Sequence, residues 1–349
     1  MKAQLENIYN SMDINCQSTK IADIDSKPIE EKENNDEIKE VIISCLNDFE
    51  LPDIIYQRNN ISLYKGYYKK NKINKTFAIK CIQKKRKNNK FVSKEISIHQ
   101  RLKHSYIINL LGYYDFNSFS ALIYDFMKFS DLQGFQINFL KRRFLSETFL
   151  CYLTTQILEA IKYIHKNKIL HLDIKQKNIL VNDFMQFKLC DFSISVDYKN
   201  KEYITLPLAG TFGYMSPEVL NGKKIKAKDA SKVDIFSFGV LLFFSAFGEY
   251  PYGINDLNDK DYEKMSEYIE KNELKFPDGF KISNKFKTLL QKCLEKNIDN
   301  RYDIYTIFDD EWIKGGEIIK EYKEKLCNTN IFLIDTISDN ILEFNKYIE

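Results

Sequence analysis

The sequence predicts an α+β fold in which a small antiparallel β lobe with one main helix precedes a larger helical lobe. Two observations support this prediction. Short runs rich in Tyr, Phe and Ile, separated by turns rich in Asn and Lys, fill residues 50–126, as is typical of strands. From about residue 129, longer segments carry apolar residues at three- and four-residue spacing, which is typical of helices. A chain of 349 residues is long enough for two such lobes and two tails.

The small lobe is predicted from five strand-like runs and one helix. The runs are "DIIYQ", "ISLYKGYY", "TFAIKCI", "IINLLGYYDF" and "ALIYDFM". The helical segment, "FVSKEISIHQRLKH" at 91–104, interrupts them. Its expected buried residues are Phe91, Ile96, Ile98 and Leu102.

Three helical segments dominate the predicted large lobe. The segment 146–168 begins with Ser146, a residue type that caps helix N-termini, and carries one apolar stripe. The segment 231–248, "SKVDIFSFGVLLFFSAFG", is apolar on almost every side, which predicts a helix buried at the centre of the lobe. A third helix is predicted at 284–296.

Both ends of the chain differ from the part between them. Residues 1–45 are polar and include the acidic run "IEEKENNDEIKE", so we expect a disordered tail. Residues 316–349 are predicted to form a helical extension, in which the apolar residues Ile334, Ile337, Ile341, Phe344 and Ile348 recur at three- and four-residue spacing. Docking on the large lobe is one interpretation of this stripe. A partner-binding or autoinhibitory contact through 331–349 is the other.

Composition and charge argue against several function classes. The 52 basic and 49 acidic side chains give a net charge of +3, which gives no reason to expect nucleic acid or a membrane as a partner. We interpret the basic run "KKRKNNK" at 84–90 as a solvated loop. Cysteines without a C-x-x-C pair and histidines without an H-x-x-x-H pair indicate free thiols in a reducing compartment and no zinc site. The N-terminus lacks an apolar signal region, so we expect a cytoplasmic protein, with a nuclear location left open.

A series of short motifs carries the candidate chemistry. It begins with "AIK", which places Lys80 in a strand, and with Glu95 in the helix of the small lobe. It continues with "HLDIKQKN" (171–178), "DFS" (191–193), "GTFGYMSPE" (210–218), "VDIFSFG" (233–239) and "NIDNR" (297–301). In order, spacing and predicted context, the series resembles the eukaryotic protein kinase family. "DIK" and "GT" are similar to the serine/threonine branch.

The resemblance covers residues 50 to 313 approximately and implies a bilobal protein-kinase-like fold. The kinase domain would span 46–315, with a small lobe at 46–126 and a large lobe at 127–315. The implied activity is transfer of the γ-phosphoryl group of ATP, with Mg²⁺, to serine or threonine hydroxyls of a protein substrate. Phosphoryl transfer needs positioning and charge neutralisation more than covalent chemistry.

The resemblance implies roles for the polar residues of these motifs. Asp173 would accept or orient the proton of the attacking hydroxyl, and Lys175 would neutralise charge on the transferred phosphoryl group. Asn178 and Asp191 offer oxygens suited to Mg²⁺.

Four more residues would contact the nucleotide or position a group that does. Lys80, fixed by Glu95, would bind the α- and β-phosphates. Tyr124 falls at the gatekeeper position and would narrow the pocket behind the adenine. Asp131 is expected to meet the ribose or a basic substrate residue.

Three further residues resemble structural positions of the family. Glu218 would pair with Arg301 in the late part of the large lobe. Asp234, at the start of the buried helix, would brace the loop that carries the catalytic aspartate.

The sequence departs from the family pattern in the loop that covers the phosphates. This loop should be rich in glycine, because only glycine lets backbone amides come close to phosphate oxygens. The three glycine positions hold Tyr56, Arg58 and Ile61. The departure leaves an alternative function open, a pseudokinase that acts as a nucleotide-binding or scaffold module.

Two further departures concern regulation. Ser193 stands in "DFS" where the family has glycine, which is expected to affect switching more than metal binding. Leu172 replaces the arginine that usually precedes the catalytic aspartate and pairs with a phosphate on the activation segment. We therefore expect activity that does not depend on phosphorylation within 194–215, where Thr205 is the obvious candidate.

Overall fold

The structure of the protein, a computed structural model, divides into two compact units. The residues that it describes are 49–58, 60–68, 76–84, 89–116, 118–256 and 261–314. The predicted tail at 1–45, the predicted extension at 316–349 and most of the basic run at 84–90 lie outside them. The first unit comprises 49–84 with 111–124, and the second comprises 89–110 with 125–314.

The first unit is a five-stranded sheet with the strand order β1-β2-β3-β5-β4. Its strands are β1 (Phe49–Arg58), β2 (Ile61–Tyr68), β3 (Thr76–Gln83), β4 (Leu110–Asp115) and β5 (Phe119–Asp125). The first three strands pair antiparallel. The predicted strands are therefore confirmed, although β4 begins at Leu110 and not at Ile107. Ile107 is fully buried in the second unit, where it forms an isolated bridge with Leu189.

Strand β3 shows why Lys80 can project away from the core of the first unit. Phe77, Ile79 and Cys81 alternate along β3 and are buried. They pack with aromatic residues of the neighbouring strands, and the rings of Phe49 and Phe77 meet edge to face at 5.7 Å. Because side chains alternate between the faces of a strand, Lys80 lies on the opposite face and is half-buried.

The second unit is mainly helical. Its helices are α1 (Asn89–His99), α2 (Leu132–Gly134, continued by a π-helical turn at Phe135–Phe139), α3 (Glu147–Lys166), α4 (Pro217–Leu220), α5 (Ser231–Phe247), α6 (Tyr262–Lys271), α7 (Asn284–Cys293) and α8 (Glu311–Lys314). Its short strands are β6 (Ile169–Leu170), β7 (Ile179–Val181), β8 (Phe187–Leu189), β9 (Val196–Asp197), β10 (Tyr203–Thr205) and β11 (Lys224–Lys226). They pair as β6-β9, β7-β8 and β10-β11.

Helices α3 and α5 form the centre of the second unit. The Ser146 hydroxyl accepts a hydrogen bond of 3.3 Å from the Phe149 N–H, so the predicted cap of α3 is confirmed. The predicted stripe of α3 is buried as well. The stretch 227–247 is long and apolar enough to cross a membrane, but 94% of its most apolar window is buried inside the molecule, as in a core helix. The predicted α+β class, an antiparallel sheet with a helix followed by a helical region, is confirmed.

Candidate active site

The loop 171–178 connects β6 to β7 and is held by Asp234 of α5. The Oδ2 atom of Asp234 accepts the His171 N–H at 2.9 Å, and its Oδ1 atom accepts the Leu172 N–H at 2.9 Å. The Nε2 atom of His165 lies 2.7 Å from the same Oδ2. These contacts confirm that Asp234 braces the loop.

The environment of Asp234 keeps its carboxyl ionised. Complete burial by itself raises the pKa of Asp234, but the hydrogen bond and charge of His165 and the amide of His171 outweigh burial and lower the pKa below its ordinary value. The ionised Asp234 carboxylate can therefore hold the backbone of the loop in place through these hydrogen bonds at neutral pH.

The loop brings the predicted acid, amine and amide together around one carboxylate. The Oδ2 atom of Asp173 accepts hydrogen bonds from Lys175 Nζ at 2.6 Å and from Asn178 Nδ2 at 2.8 Å. The Oδ1 atom of Asp173 accepts the Thr211 hydroxyl at 2.6 Å, and Thr211 Oγ1 accepts from Lys175 Nζ at 2.6 Å. The carboxylate is thus fixed from both oxygens, and the ammonium is held beside it. The sequence marks Thr211 only as typical of the serine/threonine branch, and the folded chain adds its place in this cluster.

Strand pairing brings Asn178 and Asp191 into the same region. Strands β7 and β8 form an antiparallel pair with Ile179 opposite Leu189. The residues just outside this pair also meet, because the Cys190 N–H donates to the Asn178 carbonyl at 2.9 Å. Asp191 follows Cys190 directly, and the hairpin therefore places both predicted metal ligands at one end of β7 and β8.

Asn178 and Asp191 fit a magnesium site completed by other oxygens. The Nδ2 atom of Asn178 donates to both the carbonyl and the Oδ2 of Asp173, whereas its Oδ1 accepts no hydrogen bond from the described part of the chain. Among those same residues, no group of three or more His, Cys, Asp or Glu side chains is placed to hold a metal. An amide oxygen and one carboxylate suit Mg²⁺, which keeps several waters and binds substrate phosphates.

Two residues of the site adopt a left-handed backbone conformation. Leu172 has φ 67° and Asp191 has φ 64°, a region that residues other than glycine rarely adopt and that is often found at functional sites. Ser193 lies outside this region, so the described conformation does not require the glycine that the family has there. Leu172 is buried in the apolar core of the second unit.

A cluster of three rings joins α1 to the site. The ring of Phe192 lies 4.9 Å from that of His171 and 5.0 Å from that of His99 on α1. His99 follows Glu95 by one helical turn, so the ring cluster fixes the helix that carries this glutamate. His99 belongs to none of the sequence motifs, since contacts between distant parts of the chain leave no local pattern.

The hydrogen bonds of His171 define its tautomer. Its Nδ1 atom accepts the Asp173 N–H at 3.2 Å, and its Nε2 atom donates to the Cys190 carbonyl at 3.0 Å. His171 thereby connects the backbone beside the carboxylate of Asp173 to the backbone beside Asp191.

The other predicted site residues are distributed over both units. Glu95 is buried on α1, and Asp131 caps α2 by accepting the Gly134 N–H at 2.8 Å. Both belong to the second unit, whereas Lys80 and Tyr124 belong to the first. Tyr124 is 8% exposed at the end of β5. The pairing of Lys80 with Glu95 and the nucleotide contacts of Lys80, Tyr124 and Asp131 stay predictions.

The predicted ion pair of the late helical region is present. Arg301 Nη2 lies 2.8 Å from Glu218 Oε1, with both side chains almost fully buried. The guanidinium also donates to the carbonyls of Lys232, Glu295 and Lys296. This contact connects α4, which follows Thr211 in the chain, to the segment after α7.

Comparison with known sequences identifies the family. A family model described as "Protein kinase domain" matches residues 63–313, which is more than half of the chain. The chain belongs to the protein kinase family. Together with the sheet and helices described above, this assignment confirms the kinase fold.

Three similar proteins are named as serine/threonine-protein kinases. The chain is 30% identical over 242 residues to the cell cycle serine/threonine-protein kinase CDC5/MSD2 of Saccharomyces cerevisiae, covering 69% of this chain and 33% of that protein. It is 29% identical over 269 residues to serine/threonine-protein kinase ULK3 of Xenopus laevis, covering 75% and 54%. It is 31% identical over 267 residues to CBL-interacting serine/threonine-protein kinase 12 of Arabidopsis thaliana, covering 74% and 52%. The kinase-family chain thus matches between a third and about half of the length of these relatives.

Proposed function

We propose that this chain transfers the γ-phosphoryl group of ATP to serine or threonine hydroxyls of protein substrates. The observation that carries the proposal is the cluster around Asp173, whose carboxylate contacts Lys175, Asn178 and Thr211 at 2.6 to 2.8 Å. Family membership and the names of the relatives support the same reaction. We also propose a cytoplasmic location.

The residues of the cluster have different proposed roles in the reaction. An oxygen of Asp173 can give up its hydrogen bond to Thr211 or Lys175 and accept one from the substrate hydroxyl instead. This bond would orient the attacking oxygen, and the carboxylate would receive its proton. Lys175 Nζ, 2.6 Å from this carboxylate, is placed to balance negative charge on the transferred group. Asn178 and Asp191 would hold Mg²⁺, which supplies charge neutralisation on the phosphates when it is bound.

A pseudokinase function remains the second candidate, and one observation favours it. Tyr56, Arg58 and Ile61 occupy the glycine positions of the phosphate loop. In the structure Arg58 pairs with Ile61 at the end of the β1–β2 hairpin, and Tyr56 is 48% exposed. The matched family region begins only at residue 63, within β2 and after these three positions. Such a module would bind nucleotide or a protein partner without transferring phosphate.

Mapping of the phosphorylated residues tests the proposal against this alternative. The chain is incubated with Mg-ATP and a mixture of unrelated proteins, and modified residues are identified by mass spectrometry. We expect phosphoserine and phosphothreonine, and their loss in Asp191→Asn. A nucleotide-dependent rise in Tm without phosphorylation of any protein would support the pseudokinase and overturn the proposal.

A further inference from the structure

Strands β10 and β11 form a two-stranded ribbon, with β10 before Thr211 in the chain and β11 after it. Their register pairs Tyr203 with Lys226, Ile204 with Ile225, and Thr205 with Lys224. The two isoleucines are 2% and 7% exposed and anchor the ribbon on the core. Because directly paired residues share a face of a sheet, the other two pairs lie together on the outer face.

The outer face of this ribbon carries excess positive charge. Lys224 and Lys226 are exposed, and so are Lys223 and Lys228 at the two sides of β11; we call these four residues the lysine ribbon. Among the described residues, none of the four has a carboxylate within ion-pair distance. The Lys224 ammonium instead lies 4.8 Å above the ring of Tyr203. The lysine ribbon is therefore available to external anions.

The chain places the lysine ribbon close to the reacting groups. Thr205, opposite Lys224, precedes Thr211 by six residues, and Thr211 touches Asp173. Six residues span at most roughly 20 Å even when fully extended. A substrate peptide whose hydroxyl lies at Asp173 can therefore reach the lysine ribbon within about six residues of its own chain.

We infer that the lysine ribbon binds acidic side chains of the protein substrate, so that this chain prefers serine or threonine in acidic sequences. The inference rests on the proposed function and gives its substrate class. Lysine on an exposed strand also discourages edge-to-edge pairing of sheets. If the lysines served only to prevent such pairing, replacing them would not change which peptide the chain prefers. Peptide preference therefore distinguishes substrate binding from this structural role.

The test compares two peptides of equal length that contain one serine. One carries Asp and Glu at the positions within six residues of the serine, and the other carries Asn and Gln there. For the wild type we expect kcat/KM to be about five-fold higher with the acidic peptide, since each exposed ion pair contributes about 1.4- to 5-fold. The preference should weaken at high ionic strength because salt screens exposed charges.

Variants of the lysine ribbon test whether these lysines cause the preference for the acidic peptide. Lys224→Glu/Lys226→Glu should reverse the preference, and Lys224→Gln/Lys226→Gln should abolish it, with both variants keeping their rate on the neutral peptide. Lys281→Glu/Lys292→Glu changes the same charge at exposed lysines before and on α7 and should retain the wild-type preference. An equal preference in the wild type and both ribbon variants would overturn the inference. Absence of transfer to either peptide would instead count against the proposed function, and with it this inference.

Discussion

The hydroxyl of Thr211 donates a hydrogen bond of 2.6 Å to the carboxylate of Asp173, although the two residues are 38 positions apart. Thr211 also accepts the ammonium of Lys175 at 2.6 Å. Its single oxygen therefore joins the segment that follows β10 to the loop that carries the proposed base. The position of this segment and the orientation of the base are coupled through one side chain.

Replacing Thr211 tests this coupling. Thr211→Val removes the hydroxyl but keeps the shape, so Asp173 and Lys175 lose a shared partner and their orientation. We expect kcat to fall by about ten- to a hundred-fold, the range that small misplacements of reacting groups produce. Thr211→Ser keeps the hydroxyl and should retain most of the activity. Equal rates for the Val and Ser variants would contradict the role of the hydroxyl.

Asp234 should contribute stability in a pH-dependent way. Asp234→Asn removes a buried charge that accepts several hydrogen bonds, which should cost about 3–5 kcal/mol of unfolding free energy at pH 7. Because the pKa of Asp234 is lowered in the folded chain, its contribution is present above the unfolded pKa of about 4 and is lost as the pH falls through the folded pKa. Urea unfolding of both proteins between pH 7 and pH 3 should therefore show a difference that narrows on acidification.

A surface aspartate provides the control for this measurement. Asp183 is exposed, so Asp183→Asn should change the unfolding free energy by no more than about 0.5 kcal/mol. A difference between the wild type and Asp234→Asn that stays constant down to pH 3 would show that the charge of Asp234 is not the source of the effect.

Breaking the buried ion pair of Glu218 and Arg301 should lower the free energy of unfolding substantially. Glu218→Ala leaves an unpaired guanidinium in the interior, and we expect a loss of about 3–5 kcal/mol in chemical unfolding. The exposed pair of Glu267 and Lys271 is 3.0 Å long and gives the comparison, because Glu267→Ala should cost less than about 1 kcal/mol. Similar losses at both sites would refute the structural role of the buried pair.

Leu172 leads to a prediction about regulation. Leu172 is apolar and buried in the core, and the resemblance places it where the family has an arginine that binds a phosphorylated activation segment. Thr205→Ala should therefore retain activity within about two-fold, the range expected for a neutral surface change. Rates measured before and after phosphatase treatment should agree as well. A well-folded Thr205→Ala protein without activity would rule out this view of Leu172.

The helices and most strands could be predicted from local pattern. The stripe and the Ser146 cap identified α3, and the apolar run at 231–248 identified α5, because both signals are contained within one element. The start of β4 could not be predicted in the same way. Ile107 has the composition of a strand residue, but its burial in the second unit depends on contacts with Leu189, more than eighty positions away.

The residues of the candidate site could be predicted from the sequence, but most of the contacts between them could not. The spacing of Asp173, Lys175 and Asn178 within one loop made their meeting predictable. The ring contact of His99 with Phe192 and the hydrogen bonds of Thr211 join distant segments, and no periodicity or spacing in the sequence predicts them. The same limit explains why the strain at Leu172 and Asp191 emerges only from the folded backbone.

The central claim is that Asp173 serves as the base of a phosphoryl transfer. The most direct test is the initial rate of label incorporation from γ-labelled Mg-ATP into a generic protein substrate, for the wild type and for Asp173→Asn prepared identically. We predict measurable incorporation by the wild type and a rate lower by about 10²- to 10⁴-fold in the variant, the usual contribution of a positioned base. Incorporation at the same rate in both proteins would contradict the claim, and so would a folded wild type that transfers nothing to several substrates.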